Sequence, residues 1–347
     1  MENINEFNYP AKLMFQADDQ WCYGREPLLR RMKDGSLVAS IYSGGPYEPH
    51  IDNKVLFIRS EDNGNTWSKP IVLFSHPRRA VMPTEIFTYG ENPILFFSTF
   101  LPEHNYREIS SFNSLSDDNG RSWSNPVQVN GCGSYAVREG MVLEDGTWLF
   151  PVHWMEVREG WNWDENNKSS ITKKWMYCSG VIRTNNKGKE FQKYGYIHLP
   201  DYRYHLWEPA CVALTGQHLV MLMRAEGTGW LYRSDSYDAG LSWTAPEQTE
   251  IPNPASKFCL KKVGDTILLI NNFNNLHDSN KGFVNRNHME IWASKDNLLS
   301  FYKKTAICQR EACIFYPHGF IENDILYLAV ENGVSHYFLT IPVDDLI

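Results

Sequence analysis

One eight-residue pattern recurs five times along the chain: Ser, any residue, Asp, any, Gly, any, Ser or Thr, then an aromatic. It is intact at Ser60–Trp67, Ser116–Trp123 and Ser236–Trp243, and altered at Thr184–Phe191 and Ser294–Phe301. Its chemistry is that of a tight turn. Gly supplies positive φ, and the Asp carboxylate bonds nearby backbone N–H groups. The closing aromatic is then free to pack beneath the turn. Each copy follows an apolar run, such as Lys54–Arg59 or His288–Ala293, so each reads as a hairpin between two strands.

A second set of turn signals alternates with the first, at Asp34-Gly35, Gly90, Asp145-Gly146, Gly216, Gly264 and Asn323. Each period therefore holds two hairpins and four strands. Six such units of roughly 55 residues fill nearly the whole chain, which is the arithmetic of a radial repeat. The expected fold is all-β: a six-bladed β-propeller of four-stranded antiparallel blades. No Pro/Gly/Ser-rich linker interrupts it, so residues 1–347 read as a single domain. The segment Pro10–Phe15 precedes the first unit and is expected to add a strand to the last blade, closing the ring. Sustained helical periodicity is almost absent. The longest irregular stretch, Glu156–Lys174, reads either as a functional loop or as a surface insertion.

Composition narrows the partners. Of 347 residues, 42% are hydrophobic and 14% aromatic, enough for a large core, and the formal charge is -8. No Lys/Arg run is present, which argues against nucleic acid and against anionic membranes. No apolar stretch of about 18 residues exists to span a membrane. The first residues, Met1–Phe15, lack the basic and apolar regions of a secretory leader, and a cytoplasmic location is expected. The seven cysteines form no C-x-x-C pair and read as buried reduced thiols. His50, His153, His205, His288 and His318 lie near strand ends without metal-ligand spacing, so neither a metal nor a cofactor is expected.

The octapeptide is the Asp-box, and the whole chain resembles the sialidase (neuraminidase) superfamily of six-bladed, BNR-repeat propellers. That resemblance implies an arginine triad that grips the substrate carboxylate. Arg25 lies in Gly24-Arg25-Glu26-Pro27, where the family carries an aromatic, Arg, Ile and Pro; Gly24 and Glu26 are departures. Arg224 follows Glu208 by sixteen residues, across a strand hairpin, and Arg286 precedes Ser294 by eight. Tyr316-Pro317 matches the dipeptide of the family's Tyr nucleophile, with Glu208 as the base beside it. Glu331 matches the acid that braces the first arginine. The acid/base residue comes from the loop before the first Asp-box, which offers Glu48 and Asp52. Distance from the box favours Glu48; residue type favours Asp52, which is preferred. Pro317 is expected to hold Tyr316 in extended geometry. Arg59 reads equally as a pocket or a structural residue.

The resemblance implies an exo-acting, retaining glycoside hydrolase that releases terminal sialic acid, or a related acidic sugar, from glycoconjugates. The chemistry is coherent. Planar guanidinium forks suit a carboxylate. A neutral Tyr avoids the repulsion that an anionic nucleophile would feel from that carboxylate. Two alternatives stay open. One is another carbohydrate-active propeller, a glycosidase or a lyase acting on a uronate-containing sugar. The other is a non-catalytic sugar-binding propeller. Oligomeric state is not legible.

Overall fold

The turn signals become the hairpins of six antiparallel sheets. The structure, a computed structural model, describes residues 6–104, 109–129, 135–157, 175–201, 204–276 and 285–347. Blade one comprises strands Arg25–Arg31, Leu37–Ser43, Lys54–Ser60 and Ile71–Phe74. Blades two, four and five repeat this order, starting at Ala80–Phe87, His205–Ala213 and Cys259–Val263. Blade three divides its first position between Tyr135–Val137 and Met141–Val142, which both pair with Trp148–Val157. In blade six, Phe315–Glu322, Ile325–Glu331 and Ser335–Pro342 are completed by the N-terminal strand Ala11–Gln16, which pairs with Ser335–Pro342. The ring is thus closed by hydrogen bonds between the two ends of the chain, one residue displaced from the expected Pro10–Phe15. The described residues contain no helix long and apolar enough to cross a membrane. Residues 158–174, most of the long irregular stretch, lie outside the described residues, whereas Glu156 belongs to the strand Trp148–Val157.

The hydrophobic core lies between blades rather than inside one sheet. Val38, Phe57, Leu95 and Phe97 join blades one and two. Phe87, Phe96, Phe150 and Trp154 join two and three, and Leu149, Val181, Leu219 and Met221 join three and four. Further clusters join four to five, five to six and six to one. Each sheet is therefore apolar on both faces, which explains strands such as Leu37–Ser43 and Ile94–Phe100 that are buried throughout.

The octapeptides connect the third and fourth strands of blades one to five. In each intact copy the Ser hydroxyl donates to the Asp carboxylate and accepts the Gly N–H; at Ser116 these bonds measure 2.8 and 2.7 Å. The Asp then accepts the N–H and hydroxyl of the Ser or Thr four residues on, as Asp118 does from Ser122. In Thr184–Phe191 Asn186 stands in place of Asp; the bonds to Thr184, Gly188 N–H and Glu190 N–H form, and Glu190 takes the place of the hydroxyl residue. In Ser294–Phe301, Leu298 occupies the Gly position at φ 66°, a conformation disfavoured for a branched side chain. The closing aromatics reach the preceding blade: Trp67 packs on Phe338, Trp123 on Phe57 and Phe191 on Phe96. A Cβ on Gly64 would stand 2.2 Å from the Phe338 ring, so this turn also requires glycine for close approach. Arg59, the residue before the first box, pairs with Asp34 and Glu61 and donates to Asn119 O, a structural tie between blades one and two.

Two outcomes test this account of the turns. Ser116→Ala strands the buried Gly120 N–H, so urea unfolding should show a loss of about 1–2 kcal/mol. Hydrogen bonds from Thr66 and from Ser300 lower the Asp62 and Asp296 carboxyls to about 2. A depressed carboxylate contributes stability above its unfolded value of about 3.8 and loses it as pH falls through the folded value. The melting temperature should therefore decline between pH 4 and 2, and decline less steeply in Asp62→Asn/Asp296→Asn.

Candidate active site

The innermost strands of blades one, four and six break register near their starts. The shifts fall between Arg25 and Leu28, Trp207 and Ala210, and Phe315 and His318. At each, a non-glycine residue adopts positive φ immediately before a proline: Glu26 at 52°, Glu208 at 44° and Tyr316 at 55°. The extended geometry expected of Tyr316 is thus incorrect. The bulge takes the residue off the ladder, and the surrounding structure imposes a left-handed backbone that Pro317 alone would disfavour. Strain of this kind concentrates at functional sites. Its effect here is to bring three polar side chains from three blades together at one end of the propeller axis.

They meet in a cavity of about 100 Å³ whose polar lining is Glu26, Glu48, Arg138, His153, Glu208, Arg224 and Tyr316. Met82, Phe100 and Ile109 supply an apolar side, and Tyr177 stacked on Trp207, ring centroids 4.0 Å apart, an aromatic one. Arg224 Nη1 donates to Glu208 Oε2 at 2.8 Å and to the Tyr316 hydroxyl at 3.3 Å; Nη2 donates to Glu226 at 2.6 Å. Glu208 and Tyr316 are therefore linked through one guanidinium and not directly. Arg25 and Arg286 stand over the Phe315 ring, at 5.5 and 5.4 Å, and Arg286 also covers the Tyr316 ring at 4.7 Å. The three arginines thus surround the Phe315-Tyr316 pair. Glu331, fully buried, accepts the Glu26 N–H at 3.0 Å and lies 3.8 Å from Arg25 Nη1.

Burial and charge divide the titrating groups. Burial raises the Tyr316 hydroxyl to about 12, with Arg286 opposing and Glu208 reinforcing the rise. Burial alone would raise Glu208 as well, but Arg224, Arg138 and Lys257 outweigh it and hold the carboxyl far below its ordinary value. Burial raises Glu331 to about 8 against the pull of Arg25. Glu48 sits at the mouth, 3.6 Å from Arg25 Nε, and burial raises its carboxyl although Arg25 opposes this. Asp52 is placed differently: its side chain is 63% exposed, lies 3.4 Å from His50 and does not line the cavity. His153 does line it, but its Nδ1 accepts the Glu208 N–H, and burial together with Arg138 lowers its pKa to about 3.

Sequence reasoning did not single out Arg138, Lys257, Trp207 or Tyr177, and it treated Glu26 only as a departure. Arg138 lies beyond the short strand Tyr135–Val137, outside any repeat signal, and Lys257 lies in an irregular segment. One signal was available: Glu-Pro, Glu-Pro and Tyr-Pro all recur at the start of a blade. The Gly24 departure has a steric cause, since a Cβ there would come within 2.7 Å of both His336 and Phe15.

Comparison with known proteins agrees with this architecture. Residues 35–328 match the family model described as a BNR repeat-like domain. A curated sialidase of Paraclostridium sordellii is 28% identical over 276 residues, covering 70% of this chain and 63% of that protein. The chain thus spans less than two thirds of that relative. Among solved structures, a protein of unknown function from Dyadobacter fermentans superposes with a TM-score of 0.73 at 13% identity, covering 97% of this chain and 98% of that one. The NanB sialidase from Streptococcus pneumoniae gives a TM-score of 0.71 at 13% identity, covering 97% and 71%. At such identities the superpositions establish the fold, a sialidase-like six-bladed propeller. With the family model matched across most of its length, the chain belongs to the BNR repeat-like domain family.

Proposed function

We propose that the protein is a retaining exo-glycosidase that releases a terminal sialic acid, or a closely related carboxylate-bearing sugar, from glycoconjugates. The observation that carries this reading is the convergence of Arg25, Arg224 and Arg286 around the Phe315-Tyr316 pair, with Glu208 sharing a guanidinium with the Tyr316 hydroxyl. Similarity to the curated sialidase adds weight. The three arginines would receive the substrate carboxylate. As Arg224 turns toward that carboxylate, its hold on Glu208 weakens and Glu208 becomes a better base.

The Tyr316 oxygen bonds to the anomeric carbon as Glu208 takes its proton. The glycosidic C–O bond breaks, and its oxygen takes the proton of the acid at the mouth. That carboxylate next removes a proton from water, which attacks the anomeric carbon. Tyr316 departs and recovers its proton from Glu208. Two displacements on one carbon retain configuration.

Glu48 fits the acid role better than Asp52, because it lines the cavity and its burial favours the protonated form. A lyase would need a Tyr or His base at the proton alpha to the carboxylate. His153 is the histidine that reaches the cavity, and its Nδ1 is occupied by backbone. A binding module has no use for a strained Tyr beside a buried carboxylate.

Release of 4-methylumbelliferone from its α-N-acetylneuraminic acid glycoside tests the reading. The parent should turn over, and Tyr316→Phe should lose at least about a hundredfold in kcat. Arg224→Ala removes a buried charge contact and should cost about 2–4 kcal/mol in kcat/KM, roughly 30- to 1000-fold. No turnover by the parent, or parental rates in either variant, would refute the assignment. Glu48→Gln should depress kcat at least about tenfold on a natural glycoside, whose leaving oxygen needs a proton, and much less on the activated fluorogenic one. Asp52→Asn should stay within about threefold of the parent on both. The reverse pattern would return the acid to Asp52.

A further inference from the structure

A buried acid with no part in the steps above lies beside the base. Glu26 is 4% exposed, and its carboxylate is held by two cations from other parts of the ring. Lys257 Nζ donates to Glu26 Oε2 at 2.7 Å, and Arg138 Nη1 donates to the same oxygen at 3.3 Å. Arg138 Nη2 donates to Glu208 Oε1 at 3.1 Å. Glu26, in blade one, is thus connected through Arg138, in blade three, to Glu208, in blade four, and its Lys257 partner stands 5.0 Å over the Tyr316 ring.

Arg138 is the hinge of this chain of contacts. It is 6% exposed, and its Nε is buried without a hydrogen-bond partner. Its fork therefore rests on two carboxylates, Glu26 on one nitrogen and Glu208 on the other. A guanidinium donates through a fixed planar fork, so the anchor on one nitrogen sets the angle of the other. We propose that Glu26 is a positioning residue: it fixes Arg138 so that one nitrogen, and no more, bears on Glu208, which leaves the other carboxylate oxygen on Arg224, the guanidinium that also holds the Tyr316 hydroxyl. This rests on the reading of Glu208 as the base.

The alternative is that Glu26 and Lys257 only neutralise one another. Two variants separate the possibilities: Glu26→Gln, and Glu26→Gln/Lys257→Met, which keeps the parental net charge and leaves no unpaired charge between the two sites. If Glu26 positions Arg138, both variants lose its charged anchor and offer the guanidinium only the weaker neutral acceptor of an amide. Each should show kcat reduced about ten- to a hundredfold, the range of a roughly 1 Å misplacement. KM should change less than about threefold, because Arg25, Arg224 and Arg286 are untouched. A crystal structure of the double variant reads the claim without turnover: the Arg138 guanidinium should be displaced from its parental place against Glu208. Should Glu26→Gln fail to fold, the charge-balanced double variant carries the test. Parental kcat in the double variant, or an Arg138–Glu208 contact unchanged in its crystal structure, would overturn the proposal. An inactive parent would instead refute the sialidase reading, and the crystal structure would still decide the role of Glu26.

Discussion

A carboxylate as deeply buried as Glu208 stays ionised only where cations surround it, and this requirement organises the mouth of the propeller. Removing one partner from a buried ion pair costs about 3–5 kcal/mol. Glu208 has one arginine on each oxygen, Arg138 and Arg224, drawn from two blades. Those cations need counter-charges of their own, which Glu26 and Glu226 supply. On the proposed reading of Glu208 as the base, the two clamping arginines would keep it weak, and an incoming carboxylate that competes for Arg224 would restore its strength only when a substrate is present.

The other half of the axis carries a second buried network of similar construction. Arg30 bonds Glu85 at 2.8 Å and Glu139 at 3.1 Å, Lys261 also bonds Glu139, and His318 lies 3.5 Å from Glu85. Arg138 and Glu139, neighbours in sequence, belong to different layers, one facing the cavity and the other this lower network. Blades that are apolar where they touch one another are thus joined at the axis by charges at two levels.

Fold and site were legible to different depths for physical reasons. The turns repeat because each depends on a local set of bonds among Ser, Asp and Gly, so blade number, strand number and the closing N-terminal strand could all be read from spacing. Arg25, Arg224, Arg286, Glu208, Tyr316 and Glu331 could be named as candidates only through resemblance, since no local rule marks an arginine whose neighbours lie across a ring. Arg138 and Lys257 escaped because their partners are distant in sequence: Lys257 and Glu26 are neighbours only once the propeller closes. The choice between Glu48 and Asp52 depended on loop geometry, which residue type does not report; Asp52 faces solvent beside His50, whereas Glu48 lines the cavity. Pro317 was misleading for a related reason, because a bulge imposed by the fold overrode a local preference.

If Tyr316 attacks the anomeric carbon of a carboxylate-bearing sugar, a covalent intermediate on its oxygen can be trapped. The protein would be incubated with a 2,3-difluoro sialic acid, whose fluorine at C2 leaves and whose fluorine at C3 slows breakdown of the adduct, then digested and analysed by mass spectrometry. A sugar adduct should appear on the peptide that contains Tyr316, and none in Tyr316→Phe. An adduct on Glu208, Glu26 or Glu48, or trapping undiminished in the Phe variant, would contradict it.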